Sequence, residues 1–330
     1  MNLRNKKILV TGADGFIGSH LVERLVALGA DVRAFVYYNS FNSWGWLDTV
    51  SPSTLKKIDV FAGDIRDPHG VLTAMEKADV VFHLAALIGI PFSYHSPDSY
   101  IDTNVKGTLN VLQAAKRLKT KKVIHTSTSE IYGTAQYVPI DEKHPVNPQS
   151  PYAASKSAAD TLALSFYRSF GLPVAILRPF NTFGPRQSAR AVIPTIVSQI
   201  YSGKKTIRLG NLDALRDFNY VANTVEAFIA LAGHDGSLGE VFNVGGQDEI
   251  SIGDLVGLIQ KITKIKVKVE VDPKRLRPSK SEVERLLCDF DKIRTVVGYK
   301  PKVSFEQGLT LTCQWVKQNM KRFKTDIYNV

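Results

Sequence analysis

Residues 7–18 read KILVTGADGFIG, and this stretch decides the fold of the 330-residue chain. Its apolar first five residues predict a short buried strand, and a helical pattern runs on from His20. Between the two lie Gly12, Gly15 and Gly18, whose spacing allows a tight turn and a close approach of the backbone to a pyrophosphate at the helix N-terminus. The strand–turn–helix context therefore predicts a dinucleotide-binding unit.

Further apolar segments alternate with helical patterns as far as residue 127, which predicts an α/β fold with a doubly wound parallel sheet of the Rossmann type. Beyond residue 178 the composition shifts toward proline, lysine and long connections, as expected for a smaller lobe. We assign residues 1–178 to the Rossmann domain, with strands returning to it from about 207–245, and residues 179–330 mainly to an interleaved C-terminal lobe that binds the substrate. The expected strands cover residues 7–11, 31–36, 60–64, 80–86, 123–130, 174–178 and 241–246, and a helix is expected over 97–118.

Composition favours a soluble enzyme, because 44% of the residues are hydrophobic and 22% are charged. No apolar run is long enough to cross a membrane, and Cys288 and Cys313 show neither metal-ligand spacing nor the density of a disulfide scaffold. We therefore expect a reduced, cytoplasmic protein with no metal and no membrane partner.

The net charge of +11 raises the question of nucleic-acid binding. The basic residues are spread over the chain, with modest concentrations at 261–280 and 317–324, and no nucleic-acid motif accompanies them. We expect a generally basic surface and no nucleic-acid partner, with some of the charges facing a small anionic ligand such as a nucleoside diphosphate.

The second strand bears on the choice of cofactor. An acidic residue at its end would bind the adenosine ribose and repel a 2′-phosphate, but the sequence has Tyr37-Tyr38 there and no arginine pair. NAD and NADP both stay open, with a slight preference for NAD. Asp64 follows the third strand and is placed either to reach an adenine edge or to cap a turn. Small residues after the fourth strand would let a cofactor lie flat against the backbone, and His83 is expected to be structural.

Residues 123–156 carry the residues of chemical interest. Thr128, Ser129 and Glu130 place two hydroxyls and a carboxylate at a strand end, where open α/β sheets bind ligands. Tyr152 and Lys156 lie four residues apart on a predicted helix and so share one face. A lysine ammonium beside a phenol would lower the tyrosine pKa and yield an acid/base usable near neutral pH.

With these residues in place, the chain resembles the extended short-chain dehydrogenases/reductases, and among them the nucleotide-sugar 4,6-dehydratases. The likeness includes RPFN at 178–181, GPRQ at 184–187 and the Arg277-Pro278 pair. Thr-Ser-Glu at 128–130 resembles the GDP-mannose 4,6-dehydratases and also the UDP-glucuronate decarboxylases, whereas family 4-epimerases usually lack this glutamate.

Three other segments narrow the resemblance. GNLDALRDF at 210–218 is similar to the corresponding segment of GDP-mannose dehydratases, which implies a GDP-sugar. The segments at 38–47 and 188–194 resemble the GDP-N-acetylglucosamine 4,6-dehydratases of legionaminic acid biosynthesis. The resemblance therefore implies a hydro-lyase that forms a 4-keto-6-deoxy sugar with a tightly bound, internally recycled nicotinamide cofactor.

The resemblance also implies a role for each site residue. Tyr152, assisted by Lys156, would remove the 4-OH proton, Glu130 would take the C5 proton, Ser129 would help protonate the departing 6-OH, and Thr128 would orient O4. The expected cofactor contacts are Gly12, Gly15, Phe16, Ile17, Gly18, Tyr38, Asp64, Ile65, Leu84, Ala85, Ala86, Asn104, Tyr152 and Lys156. The expected substrate contacts are Asn181, Arg186, Asn211, Arg216 and Arg277, with Glu282 reaching a ribose hydroxyl.

Three alternative functions stay open at this point. A UDP-glucuronate decarboxylase needs a cation for the sugar carboxylate, which the sequence does not place. In a 4-epimerase, Glu130 would have no evident catalytic role. A nucleotide-sensing scaffold would not require the catalytic candidates Tyr152, Lys156 and Glu130. The resemblance further implies a homodimer, or a tetramer built from it, that pairs through helices around 103–118 and 152–169.

Overall fold

The computed structural model describes residues 1–246 and 248–325. A seven-stranded parallel sheet forms its centre, in the order β10-β6-β5-β4-β1-β2-β3. The central strands are near-continuous apolar runs because helices cover both faces of the sheet. The strands of this sheet are β1 (Lys7–Thr11), β2 (Asp31–Tyr37), β3 (Ile58–Gly63), β4 (Val80–His83), β5 (Lys122–Thr126), β6 (Val174–Pro179) and β10 (Val241–Val244).

Apolar residues of the helices form separate clusters on the two faces of this sheet. One cluster includes Leu21 and Phe228, and the other includes Val111 and Phe166. This two-sided packing confirms the expected doubly wound Rossmann fold. The helices are α1 (Phe16–Ala27), α2 (Pro52–Leu55), α3 (Pro68–Met75), α4 (Ile90–His95), α5 (Pro97–Tyr100), α6 (Gly107–Leu118), α7 (Pro151–Phe170), α8 (Val192–Tyr201), α9 (Val221–Gly233), α10 (Ile252–Thr263), α11 (Asp291–Val297) and α12 (Phe305–Gln318).

Short strands outside the main sheet form two small sheets. β9 pairs with β11, β13 and β7, while β8 pairs with β12. Of the stretch 207–245, only β10 therefore returns to the main sheet, which is fewer strands than the sequence suggested. These strands are β7 (Asn181–Phe183), β8 (Thr206–Leu209), β9 (Leu215–Tyr220), β11 (Glu249–Ser251), β12 (Lys268–Val271) and β13 (Arg285–Leu286).

Two segments near the carboxyl ends of the strands differ from the sequence expectation. The strand predicted over 123–130 stops at Thr126, and Ser129–Tyr132 forms a 3₁₀ turn whose first free N–H, that of Glu130, is accepted by the Thr128 hydroxyl at 3.2 Å. Threonine side chains favour such turns because they compete for backbone donors. The helix predicted over 97–118 is divided by a π-helical turn at Ile101–Lys106, and such turns are frequent at functional sites.

Candidate active site

A cavity of about 850 Å³ opens where β1, β2, β4, β5 and β6 end. Ligands of doubly wound folds bind at this edge of the sheet. Most residues singled out in the sequence line this one cavity. They are Gly12, Gly15, Phe16, Ile17, Gly18, Asp64, Ile65, Leu84, Ala85, Ala86, Thr128, Ser129, Glu130, Tyr152, Lys156, Asn181, Asn211, Arg216, Arg277 and Glu282.

The glycine turn between β1 and α1 forms one end of the cavity. Gly12 has φ +67°, and a Cβ atom there would lie 2.8 Å from the backbone nitrogen of Ala85. A Cβ on Gly18 would overlap the carbonyl oxygen of Gly12. Gly15 caps α1 without a side-chain hydrogen bond, so the first N–H groups of the helix are free to bind an anion. These features fit the pyrophosphate of a dinucleotide.

At the end of β2, Tyr37 lines the cavity and Tyr38 does not. Tyr38 lies outside the cavity lining, and its expected contact with the cofactor stays a prediction. Successive side chains of an extended segment point to opposite sides, and Tyr38 is 68% exposed to solvent. Asp14, which the sequence reasoning missed, brings an acidic group to this strand end, because its Oδ2 accepts the Tyr37 N–H at 3.4 Å. No motif signals this contact, since Asp14 belongs to the glycine turn.

Asp64 lines the cavity in an ion pair with Arg66, whose Nη2 lies 2.5 Å from Asp64 Oδ2. The hydrogen bonds from Arg66 lower the pKa of the Asp64 carboxyl, although partial burial opposes them. Asn104 is buried and does not line the cavity, which corrects its expected role as a cofactor contact. Its side chain instead binds the backbone N–H and carbonyl of Leu87 and donates to Ser155 Oγ at 2.9 Å. It fixes the loop after β4 against α7.

Helix α7 presents Tyr152 and Lys156 to the cavity. Ser150 caps this helix by accepting the Ala153 N–H at 3.1 Å, and this cap places Tyr152 in the first turn. Lys156 follows one turn later and donates from Nζ to the carbonyl oxygen of Thr126 at 2.5 Å. This hydrogen bond holds α7 against the end of β5. The Tyr152 phenol and residues 128–130 therefore line the same cavity.

Burial dominates the electrostatics of this pair. It raises the pKa of the Tyr152 phenol, which contact with the Thr128 hydroxyl partly offsets and the Glu130 charge reinforces. Burial also lowers the pKa of Lys156 to about 8, against the opposing charge of Asp160. The expectation that the lysine gives the tyrosine a depressed pKa is thus wrong for this structure. Burial thus shifts the pKa values of the two groups in opposite directions.

Four charged side chains form a cluster at the other end of the cavity. Arg216 Nη2 lies 3.0 Å from Glu282 Oε1, and Arg277 Nη1 lies 3.9 Å from both that atom and Glu130 Oε2. Glu282, expected to reach a ribose hydroxyl, is therefore held by Arg216 through one of its oxygens. Asn181 also lines the cavity and donates to the carbonyl oxygen of Asp217 at 3.3 Å.

Arg186 points away from the cavity, which corrects its expected contact with the substrate. Its Nη1 lies 2.5 Å from Glu23 Oε2 and 3.3 Å from Ser19 Oγ, both on α1. This pairing ties the segment after β7 to α1. Arg190, which the sequence reasoning did not single out, lines the cavity instead, and its Nη1 lies 3.0 Å from the position of a Cβ on Gly89. No local spacing reveals that Arg190 meets the loop after β4.

The chain matches the family model described as GDP-mannose 4,6 dehydratase over residues 9–312. It is also 34% identical to dTDP-D-glucose 4,6-dehydratase of Mus musculus, over 97% of this chain and 91% of that protein. The chain belongs to the nucleotide-sugar 4,6-dehydratase family of extended short-chain dehydrogenases/reductases.

The chain is also similar to two further enzymes. UDP-N-acetyl-alpha-D-glucosaminuronate decarboxylase of Bacillus cytotoxicus is 35% identical over 95% of this chain and 98% of that protein. The crystal structure of dTDP-glucose 4,6-dehydratase from Streptomyces venezuelae with NAD and TYD bound superimposes with a TM-score of 0.84 at 30% identity. That match covers 96% of this chain and 99% of the other.

Across residues 1–246 and 248–325, no three histidine, cysteine or acidic side chains converge as they would around a metal ion. Within the same residues, every helix is too short or too polar to cross a bilayer.

Proposed function

We propose that this protein is an NAD-dependent 4,6-dehydratase that converts GDP-N-acetylglucosamine to its 4-keto-6-deoxy derivative. One observation carries the proposal: Glu130, Tyr152 and Lys156 line a single cavity that also contains the glycine turn. A phenol for the 4-OH, a carboxylate for C5–H and a dinucleotide cradle are together what a 4,6-dehydration requires. The charge of Glu130 acts directly on the Tyr152 phenol, which supports placing both groups around one sugar ring.

In the proposed mechanism, Tyr152 takes the proton from O4 while Thr128 holds that oxygen. The glycine turn with Gly12, Gly15 and Gly18 would hold NAD, which when bound would supply the acceptor for the C4 hydride and the hydride for C6. The 4-keto group acidifies C5–H, and Glu130 removes that proton. Each such acid/base contribution is typically worth ~10²–10⁴ in rate.

The reaction balances without an external oxidant. Glu130 passes the proton that it took from C5 to the departing C6 hydroxyl, which leaves as water, and C5 takes up another proton once C6 has been reduced. The proton that Tyr152 took from O4 restores the one lost in water. Ser129 is 2% exposed beside Glu130 and is proposed to hydrogen-bond the departing hydroxyl. Because the cofactor ends in its starting redox state, it has no need to dissociate between turnovers.

The preference for NAD is supported by Asp14. Its carboxylate lies at the end of β2, where negative charge repels the 2′-phosphate of NADP. Arg66, which also lines the cavity, is paired with Asp64. The Streptomyces venezuelae relative binds NAD in its crystal structure, which agrees with this preference.

The GDP-sugar is supported by sequence likeness and by charge. Residues 210–218 resemble those of GDP-mannose dehydratases, and Arg216 in this segment lines the cavity with Arg277. The guanidinium group of arginine suits a diphosphate because it can donate two parallel hydrogen bonds to the phosphate oxygens. The N-acetyl group is proposed from the likeness of the segments at 38–47 and 188–194.

A decarboxylase acting on a nucleotide-linked uronate is the second candidate, and Arg190 favours it. This exposed cation lines the cavity and has no carboxylate within 4 Å among the residues that the structure describes. It is thus free to meet a sugar carboxylate. Glu130, by contrast, serves the dehydratase, since loss of CO₂ requires no removal of the C5 proton.

We further propose a homodimer that pairs through the exposed faces of α6 and α7. The exposed side chains of α7 include the small residues Ala154, Ala158 and Thr161, which follow helical spacing and permit close helix packing.

The test is Glu130→Gln, an isosteric change that removes the base. We expect loss of at least about 10²-fold in dehydration and unchanged affinity for NAD. Wild type and variant are incubated with GDP-N-acetylglucosamine, GDP-mannose and UDP-glucuronate, and products are identified by mass. Loss of water from a GDP-sugar supports the proposal. Dehydration by the variant at the wild-type rate, or release of CO₂ from UDP-glucuronate alone, contradicts it.

A further inference from the structure

A buried ion pair lies behind the cavity and contributes nothing to its lining. Asp160 and Arg178 are 3% and 6% exposed, and Arg178 Nε donates to Asp160 Oδ2 at 3.1 Å. The same oxygen accepts the Ser127 hydroxyl at 2.8 Å. A charge buried so deeply is costly unless it is paired and hydrogen-bonded. Asp160 also lies 3.3 Å from His125 Nε2, and its contacts with Arg178 and Ser127 connect it to the segment that carries Glu130.

The first of these contacts reaches the turn that holds Glu130. Arg178 Nη1 donates to the Tyr132 hydroxyl at 2.8 Å, and Tyr132 donates to Asn243 Oδ1 at 2.8 Å. Tyr132 is the last residue of the 3₁₀ turn Ser129–Tyr132. Ser127 lies on the other side of that turn. Asp160 thus holds both ends of the segment 127–132, directly through Ser127 and through Arg178 at Tyr132.

Asp160 also lies on α7, one turn beyond Lys156. The ion pair therefore joins the helix that carries Tyr152 and Lys156 to the turn that carries Glu130. The Tyr152 phenol and the Glu130 carboxylate must both contact one hexose ring. Their relative position therefore decides whether the protons at O4 and at C5 can be removed from the same bound substrate. A displacement of about 1 Å in such an arrangement costs roughly 10²-fold in rate.

The electrostatic surroundings of Lys156 come from several elements. His83 of β4 and His125 of β5 have pKa values lowered by burial and further by the Lys156 charge, so both are neutral above pH 7. Asp160 keeps a lowered pKa because the adjacent His125 and Arg178 outweigh the effect of burial. Arg178 of β6 stays positive, since Asp160 outweighs its own burial and raises its pKa.

The other titratable groups around Lys156 are Tyr152 on α7 and Glu130 on the neighbouring 3₁₀ turn. Asp160 is therefore the negative charge that favours protonated Lys156 from within the helix.

We propose that Asp160 is a positioning residue for the candidate catalytic set, holding the turn that carries Glu130 against α7 and keeping its negative charge beside Lys156. This inference rests on the proposed function for the roles of Glu130 and Tyr152. It assigns no contact between Asp160 and the substrate or the cofactor.

The first test is Asp160→Asn, which keeps the shape and removes the charge. Lys156 then loses its proton more easily, because the Asp160 charge that raises its pKa is gone. We expect the rising limb of log(kcat/KM) against pH to move down by roughly 0.5 to 1 pH unit and the plateau to fall at least about tenfold. KM for the nucleotide sugar stays within about twofold. If the rising limb of the pH profile lies at the same pH in Asp160→Asn and in wild type, the electrostatic part of the proposal is overturned.

Ser127→Ala and Tyr132→Phe are the matched variants. Each removes one hydrogen bond of the network and no charge, so kcat should fall at least about tenfold while the pH limb stays in place. Wild-type kcat in both variants would overturn the positioning role. These two variants decide that role even where Asp160→Asn fails to fold, as judged by circular dichroism.

The comparison uses whichever nucleotide sugar the wild-type protein turns over. Tyr152 serves the first oxidation in the dehydratase, the decarboxylase and the epimerase alike. A wild-type protein that releases CO₂ instead of water would thus contradict the proposed function and leave the Asp160 test intact.

Discussion

At the scale of single residues, the site is governed by the burial of Tyr152 and Lys156. A solvated lysine would be protonated throughout the neutral range, but burial lowers the pKa of Lys156 to about 8. The phenol beside it is shifted in the opposite direction. Because Tyr152 and Lys156 lie one turn apart on α7, we propose that their protons are coupled, so that removal of one proton gives a state in which a neutral pair interconverts with an ionised tyrosine beside a protonated lysine.

This coupling predicts a pH dependence. The base that accepts the O4 proton exists only after the pair has lost one proton, so log(kcat/KM) should rise with pH and level off above about 8. Initial rates of product formation between pH 6 and 10 measure this profile. Lys156→Met removes the coupled proton and should abolish the limb near 8 together with most of the activity. Activity that is flat or falling through this range would contradict the assignment.

The sequence predicted those residues whose neighbours along the chain determine their position. Tyr152 and Lys156 lie in the first two turns of a helix that Ser150 caps, and Thr128 to Glu130 follow a strand directly. Arg186 was misplaced because its partner Glu23 lies on a distant helix. Arg190 escaped notice for the same reason, since it meets Gly89 across the cavity.

At the scale of secondary structure elements, the glycine turn determines how closely β1, α1 and the loop after β4 approach one another. The local geometry of the glycine turn was predictable from the sequence, because the backbone of the turn leaves no room for a Cβ atom. The extent of β5 was not predictable from pattern alone. Thr128 could continue the strand or cap a turn, and tertiary contacts of Tyr132 favour the turn.

A pair of glycine variants tests the glycine turn. Gly12→Ala places a Cβ 2.8 Å from the Ala85 nitrogen at φ +67°, and we expect at least about tenfold weaker NAD binding by calorimetry and a lower Tm. Gly257→Ala is the control, because this exposed glycine lies within α10 with no atom in the way. It should bind NAD normally and gain about 0.5–1 kcal/mol in stability. Equal NAD affinity in the two variants would contradict the placement of the cofactor.

At the scale of the whole molecule, the large sheet supplies the cofactor end of the cavity and the small sheets supply the charged end. Arg216 belongs to β9, and Arg277 and Glu282 lie between β12 and β13. The parallel sheet of the Rossmann fold was predictable from the alternation of strand and helix patterns. The pairing of β9 outside the main sheet was not, because an apolar strand pattern does not specify its neighbours.

The proposed homodimer is tested by Ala158→Arg, which places a charged, bulky side chain on the exposed face of α7. We expect the mass measured by light scattering to halve while the circular dichroism spectrum stays unchanged. Gln314→Arg is the control, on the exposed face of α12. A dimer that persists in the α7 variant, or dissociates equally in both, would locate the interface elsewhere.

The most direct test of the dehydratase follows the hydrogen at C4 of the substrate. GDP-N-acetylglucosamine carrying deuterium at C4 is incubated with the NAD-loaded protein, and the product is examined by mass spectrometry and NMR. We predict a product lighter by one water, with the deuterium now on the C6 methyl group and no accumulation of NADH. A product of unchanged mass, a loss of CO₂ from the corresponding uronate, or a 4-keto-6-deoxy product without deuterium at C6 would contradict the account.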